Sequence, residues 1–304
     1  ALAGAAPTTY TNATVASTVG DGTNITLQSG LGKLLMSSTH TARPDAYVVT
    51  DSYGLIGGSG AESRNTVTAD VTTRLGDQDS DTSGATVTAI DATLTATNNV
   101  IKSPAPENNI DGDAGGLASG ALADSDITLD MATIVDVDDY STLTTTNEYG
   151  AVTLKAFNAI NVTDDVALFT AGAVSGAGAF VDLVTTQLLA SVDVGVGAQV
   201  NAEGEVVMES NGLFIVDLHS KSETYGIGTV AVGHARIDLL PTNQININGS
   251  VVADRDAWLT TGTDRYRQIA QHALTARVDN VAGSAIPIDD LETRAVIIAD
   301  NIIK

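Results

Sequence analysis

The sequence predicts an all-β fold, a parallel β-helix or β-solenoid built from repeats of about 56 residues, and three observations point to it. The first is composition. Aromatic residues are 4% of the 304, with one Trp, four Phe and seven Tyr, although 43% of the chain is hydrophobic. Globular cores use large aromatic anchors; here Ala, Val, Ile and Leu do the filling, which suits thin cores of stacked small side chains. The second is periodicity. No window carries an apolar stripe of 3.6-residue period with caps, whereas short alternating runs bounded by Gly, Asn and Asp occur throughout. The third is repetition, sought first because missing it misreads the whole fold.

A Gly- and Ala-rich block recurs as Gly54–Ala61 (GLIGGSGA), Ala114–Ala121 (AGGLASGA), Ala171–Ala179 (AGAVSGAGA), Tyr225–Gly233 (YGIGTVAVG) and Val281–Ile286 (VAGSAI). Within it, Gly57, Gly115, Gly172, Gly228 and Gly283 follow one another at 58, 57, 56 and 55 residues. After each block comes an alternating run with a central Asp, and Asp70, Asp130, Asp182, Asp238 and Asp300 follow at 60, 52, 56 and 62 residues. These five Asp residues are expected at equivalent positions of successive repeats. The repeats then run approximately over 10–69, 70–129, 130–181, 182–237 and 238–299, and the whole of 1–304 reads as one repetitive segment, expected to be a piece of a longer chain.

A second element follows the Asp run: Gly20–Ser29 (GDGTNITLQS), Thr145–Leu154 (TTNEYGAVTL), Gly195–Ser210 (GVGAQVNAEGEVVMES) and Thr242–Ala253 (TNQININGSVVA). Each is a short strand, a Gly or Asn turn and another strand. Alternation places Ile25 and Leu27, Val206 and Met208, and Ile245 and Ile247 inward, with Thr26, Val207 and Asn246 outward. Such a unit buries no apolar face alone and needs stacked neighbours. Propeller blades have a similar repeat length but carry a bulky aromatic per blade, which one Trp cannot supply. Two or three coils of roughly 20–28 residues per repeat are expected, from the known lengths of stacked repeat units.

The charge excludes some partners. Acids outnumber bases 37 to 14, for a net charge of -23, and 29 of the acids are Asp, a turn former, against 8 Glu. Such a surface repels nucleic acid and anionic lipid, attracts Ca²⁺ and discourages edge-to-edge pairing. The chain has no Cys and no apolar run of about 18 residues that would span a membrane as a helix. Ala1–Ala6 lacks the basic and apolar regions of a signal peptide.

The strand, the motif Gly20-Asp21-Gly22-x-x-Ile25-x-Leu27, the Ser/Thr-rich stretch and the Gly/Ala block together resemble the repeats of filamentous haemagglutinin-like adhesins, with the large leukotoxin-type filamentous adhesins most alike in texture. The resemblance runs from about Tyr10 to Lys304 and rests on composition and order. It implies a right-handed parallel β-helix, export through a partner outer-membrane channel and display on the bacterial cell surface for adhesion or biofilm formation. The N-terminal secretion domain of that family is not in this sequence. The expected function is therefore a structural or adhesive extracellular protein or filament component, not an enzyme. It would associate with itself or with further chain into a fibre, and meet a host or neighbouring cell surface, glycans included.

Candidate sites are few. Asp77, Asp79 and Asp81 place acids at positions 1, 3 and 5 of a Ca²⁺ loop, but Thr82 and Thr88 stand where an EF-hand needs Gly and Glu. Asp111–Asp113 and Asp136–Asp139 are further acidic turns. No other cofactor is expected. His40, His219, His234 and His272 lack metal-ligand spacing. The alternative function is a polysaccharide-active β-helix enzyme, a lyase or hydrolase. It would draw on the one gathering of basic and aromatic residues, Arg255, Trp258, Arg265, Tyr266, Arg267, His272 and Arg277. The adjacent Asp289 and Asp290 point to opposite strand faces, which does not suit a paired-carboxylate hydrolase. An ice-binding surface would need Thr-x-Thr ladders, and those at Thr93–Thr97 and Thr142–Thr144 do not recur at the period. Sequons at Asn12, Asn24, Asn161 and Asn248 are what a Thr- and Asn-rich chain yields by chance.

Overall fold

The computed structural model describes residues 2–27, 32–77, 82–103, 109–266 and 272–304, and among them the regular structure is all strand, with no helix. The chain makes successive passes, each visiting three sheets in the same order. The first pass is β1 (Leu2–Ala5), β2 (Thr8–Val19), β3 (Asn24–Thr26), β4 (Lys33–Ala42) and β5 (Val48–Tyr53). The second is β6 (Ile56–Leu75), β7 (Thr86–Ala89), β8 (Asp91–Lys102) and β9 (Ile110–Gly115). The third is β10 (Ala118–Val137), β11 (Thr142–Thr145) and β12 (Ala151–Ala171), and the fourth β13 (Val174–Val194), β14 (Gln199–Ala202) and β15 (Glu205–Tyr225). The fifth is β16 (Gly228–Leu239), β17 (Pro241–Ile247), β18 (Ser250–Ala253), β19 (Ala257–Thr261) and β20 (Ala273–Gly283), followed by β21 (Ile286–Ile297) and β22 (Asp300–Ile303).

The first sheet has nine of these strands, the second five (β3, β7, β11, β14, β18) and the third eight (β4, β5, β8, β9, β12, β15, β19, β20). All described pairings are parallel, from β1 with β6 to β17 with β22. This corrects the expected fold class. A right-handed parallel β-helix, or β-solenoid, with two or three coils per repeat would pair strands roughly 20–28 residues apart. The pairings here join residues 51 apart (Gln199 with Ser250) to 62 apart (Ile56 with Ala118). No short coil exists among the described residues, because one 51–62-residue stretch has to supply strands to all three sheets. The architecture is three parallel sheets, with strands as long as 21 residues.

Side-chain alternation decides which face is dry. Along β12 every second residue is buried, from Val152 to Thr170. The buried side chains form two apolar compartments. One joins Val67, Leu129, Leu183 and Ile237 of the first sheet to Ile160, Leu168 and Phe214 of the third. The other joins the later halves of the first-sheet strands (Leu75, Val137, Val194) to the second sheet (Val87, Leu143, Val200) and the earlier halves of the third-sheet strands (Leu154, Met208). Buried polar groups between them bridge the first and third sheets. Asn98 Nδ2 donates to Ala69 O at 3.1 Å, Thr133 Oγ1 to Asn158 Oδ1 at 2.6 Å, Asn158 Nδ2 to Leu189 O at 2.8 Å and Ser210 Oγ to Ala190 O at 2.7 Å. Satisfied in this way they cost little to bury and they pin the stagger between sheets.

The expected interior register holds for Val206, Met208 and Ile245, which are buried; Ile25, Leu27 and Ile247 are half-buried, Thr26 is exposed and Asn246 is half-buried. Val207 departs from it, being 2% exposed. The reason is local: the segment after β19 folds across the outer face of β15, with Arg265 N donating to Glu209 Oε1 at 3.0 Å and Asn211 Nδ2 to Thr263 O at 3.3 Å.

The expected Asp column is also corrected. Asp130 lies beside Thr68 and Gln187, Asp70 beside Ala132, and Asp238 beside Val184 and Val296. What shares a column is Arg64, Asp126, Asp182, Arg236 and Arg294. Parallel strands in register bring equivalent side chains about 4.8 Å apart, where a run of like charges repels. In the mixed column two of the four contacts join unlike charges, Arg64 with Asp126 and Asp182 with Arg236.

Candidate functional site

The outer face of the first sheet carries the densest charge. Arg64 pairs with Glu62 on its own strand and approaches Asp126 of the next pass (Nε–Oδ2 4.0 Å). His234 Nε2 lies 3.0 Å from Asp182 Oδ1, and its Nδ1 lies 3.7 Å from Glu292 Oε2. Arg236 pairs with Asp238, whose other oxygen takes Arg294 Nε at 3.1 Å. Beside this ladder the small residues of the Gly/Ala block leave an open cleft of about 520 Å³, lined by Gly4, Ala5, Ala6, Gly60, Ala61, Glu62, Leu122 and Asp124. Burial, with the neighbouring charges of Asp126, Asp182 and Glu62, pushes the Asp124 carboxyl up to about 6. Asp136 is likewise pushed up to about 6, because burial outweighs its bond from Arg74 Nε at 2.9 Å.

Both shifts give the same sign. A carboxyl whose folded value is raised binds more protons folded than unfolded, so its contribution to stability is full at low pH and is lost as pH rises through about 6. The urea midpoint is expected to be higher at pH 5 than at pH 7.5. Asp124→Asn is expected to raise the midpoint at pH 7.5 and narrow the difference. His272, whose imidazole burial pushes down, acts in the opposite direction over the same range, so the substitution is the discriminating arm: a pH difference that ignores Asp124→Asn contradicts the assignment.

The basic and aromatic residues near the C-terminal end divide into three places. At the first, Arg265 Nη1 lies 2.7 Å from Glu205 Oε1, its Nη2 donates to Tyr266 Oη at 2.8 Å, and its guanidinium sits over the Tyr266 ring. These three residues and Trp258 line a cavity of about 240 Å³, less than the roughly 300–1,000 Å³ of a drug-sized pocket. At the second, Arg255 covers Tyr149 at 5.5 Å from the ring centroid. At the third, Arg277 pairs with Asp279, which His219 Nε2 also meets at 3.1 Å, while His219 Nδ1 faces Asp165 at 3.3 Å. His272 is exposed on one side and stacks with the other on Phe214 at 4.7 Å, and this partial burial pushes its imidazole down. Arg267 lies outside the described residues.

Of the calcium candidates, Asp77 is exposed and its backbone N–H donates to Asp21 Oδ1 at 3.0 Å, whereas Asp79 and Asp81 lie outside the described residues. Asp113 accepts from Tyr53 Oη at 3.3 Å, and Asp138 and Asp139 accept backbone N–H groups at 2.8 and 2.7 Å in the turn before the second sheet. Among the described residues no three of His, Asp and Glu gather in a way that would hold an ion. Asp289 and Asp290 both sit on exposed β21, where Asn280 Nδ2 donates to Asp289 Oδ1 and to Asp290 O. His40 Nδ1 meets Asn98 Oδ1 at 2.9 Å.

Sequence reasoning did not single out Glu62 and Asp124, since each occupies an ordinary outward strand position. Only the stacking of passes brings their charges together. No family model matches the chain, and no curated protein or solved structure is similar to it.

Proposed function

We propose that this chain is a structural, adhesive component of a bacterial cell surface or extracellular fibre, in keeping with its resemblance to the repeats of filamentous haemagglutinin-like adhesins. The observation that carries the reading is the uniform stack. All described pairings in the three sheets are parallel, and each sheet ends in open edge strands, β1–β5 on one side and β18–β22 on the other. Open parallel edges accept further strands, from more of the same chain or from a second copy. Acidic turns on the flanks oppose lateral pairing, which favours growth along the stack.

Purified protein is expected to form or join elongated particles under the electron microscope and to bind cells or glycan-coated surfaces. The polysaccharide-enzyme reading draws on one feature, the Trp258–Tyr266–Arg265–Glu205 corner, where aromatic faces and a carboxylate meet. Cleavage of a polysaccharide that is lost in Arg265→Ala or Glu205→Gln would overturn the structural reading in its favour.

A further inference from the structure

One polar cluster lies inside the apolar compartment and has no part in the reading above. Lys102, the last residue of β8, and Asp164 of β12 form an ion pair with Nζ 2.8 Å from Oδ1, and both side chains are fully buried. Asn109, also fully buried and just before β9, donates its Nδ2 to the same Oδ1. Ser125 Oγ, on the facing β10, donates to Asp164 Oδ2 at 2.7 Å. Leu218 lies beside Asp164 and Val162 beside Lys102 in the strand register, and both belong to the same apolar compartment as Val100, Ile110, Ile127 and Val166. Stability does not explain it. Taking two charges out of water costs about what their attraction returns, and well-packed apolar residues serve as well or better.

The chemistry of the group does explain it. An amine, a carboxamide and a carboxylate, held together away from water, are what an amide exchange needs: a nucleophile, an electrophilic carbon and an acid–base group. We propose that Lys102 and Asn109 join in an intramolecular isopeptide bond, with Asp164 moving the protons. Asp164 takes a proton from Lys102 Nζ, leaving an amine and a carboxylic acid, and an uncharged pair is the cheaper one to hold in apolar surroundings. Nζ then attacks Asn109 Cγ. Asp164 hands that proton to Nδ2 and takes the second proton that Nζ sheds as the amide forms; the Cγ–Nδ2 bond breaks and ammonia leaves, carrying this last proton away as ammonium, so that one C–N bond replaces another with no oxidant and no second substrate. The two ends are fixed beside one carboxylate oxygen, so the reaction is unimolecular and gains the advantage of held geometry. Ser125 is a positioning residue that fixes the second carboxylate oxygen.

The bond would tie the end of β8 to the start of β9 and give a Cys-free chain a covalent brace. It does not depend on the adhesive reading.

The test is the intact mass of the folded, purified chain, followed by proteolysis and tandem mass spectrometry. The expected result is a mass below the sequence value by one ammonia and a branched peptide joining Lys102 to Asn109. Lys102→Arg, which keeps the positive charge, and Asp164→Asn are expected to show the full mass. An unchanged wild-type mass overturns the proposal, as does loss of ammonia without a branched peptide, the signature of a succinimide. Loss of water with Lys102 linked to Asp164 overturns the assignment of Asn109. The wild-type measurement stands even if a variant does not fold.

Discussion

Replacing Phe214 by Ala is expected to cost about 3–5 kcal/mol, the usual range for emptying a buried Phe site. Phe214 is 1% exposed and the largest of the fully buried side chains. Its ring stacks on His272 at 4.7 Å and 13°, and Gly212 makes room for it, since a Cβ there would stand 2.6 Å from the ring. In β15 it lies beside Ile160 and within the compartment that also holds Leu218 and Leu239. Neighbours pinned by strand hydrogen bonds on both sides cannot collapse into the gap, so the cavity persists. A stacked chain also opens locally, because each pass touches only its neighbours. Hydrogen exchange should therefore accelerate first in β12, β15 and β20, with smaller changes near β2 and β7. A urea-derived loss below about 1 kcal/mol, within the ordinary run of single substitutions, would mean that Phe214 is not a core anchor.

The second large effect is expected at a turn. Gly54, Gly116, Gly172 and Gly226 stack where the chain leaves the third sheet for the first. A Cβ on Gly116 would lie 2.2 Å from Gly54 O, one on Gly172 2.4 Å from Gly116 O, and one on Gly226 2.0 Å from Gly172 O. The demand is for close approach of backbones, since none of these glycines has positive φ. Retreat is blocked, because Gly226 N donates to Gly283 O at 3.2 Å and Gly172 N to Tyr225 O at 3.0 Å. Gly226→Ala is expected to destabilise by about 1–3 kcal/mol or more, as overpacking does. Gly228→Ala, two residues on, meets nothing within 4 Å. It should be neutral or gain a few tenths of a kcal/mol through the unfolded chain. Equal effects at the two glycines in denaturant titrations would remove the stacked-turn account.

These cases show what the sequence made legible. The Gly/Ala blocks repeat because backbones meet at that turn, and glycine there leaves a trace in composition. Of the five glycines used to measure the period, however, only Gly172 stands in the stacked column. Gly115 and Gly283 belong to the neighbouring column with Ala171 and Tyr225, and Gly228 pairs with Val174. The period survives such slips, because it is an average over several markers; the register does not.

The Asp markers misled for a physical reason. An outward residue is not held to one rung, and β10 alone offers Asp124, Asp126, Asp130 and Asp136. The bulge between Leu129 and Asp130 then shifts the pairing with β13 by one residue. Alternation located most of the interior but not Val207, whose cover comes from a later segment. The Lys102–Asp164 pair left no signal at all, since one Lys and one Asp 62 residues apart look like two surface charges until passes are stacked.

The chain stacks so that each described strand pairs with strands one pass away, and the proposed structural role rests on that stacking. The natural absence of Cys allows a direct measurement. Thr144 and Asn201 are in-register partners on the half-buried outer face of the second sheet. Strand spacing of about 4.8 Å falls within the span a disulfide bridges. The double variant Thr144→Cys, Asn201→Cys is expected to form an intramolecular disulfide under mild oxidation of the folded protein. Thr144→Cys with Ala167→Cys, a pair separated by the short coil length and placed on different sheets, is expected to stay reduced. A bridge in the second pair and none in the first would contradict the stack.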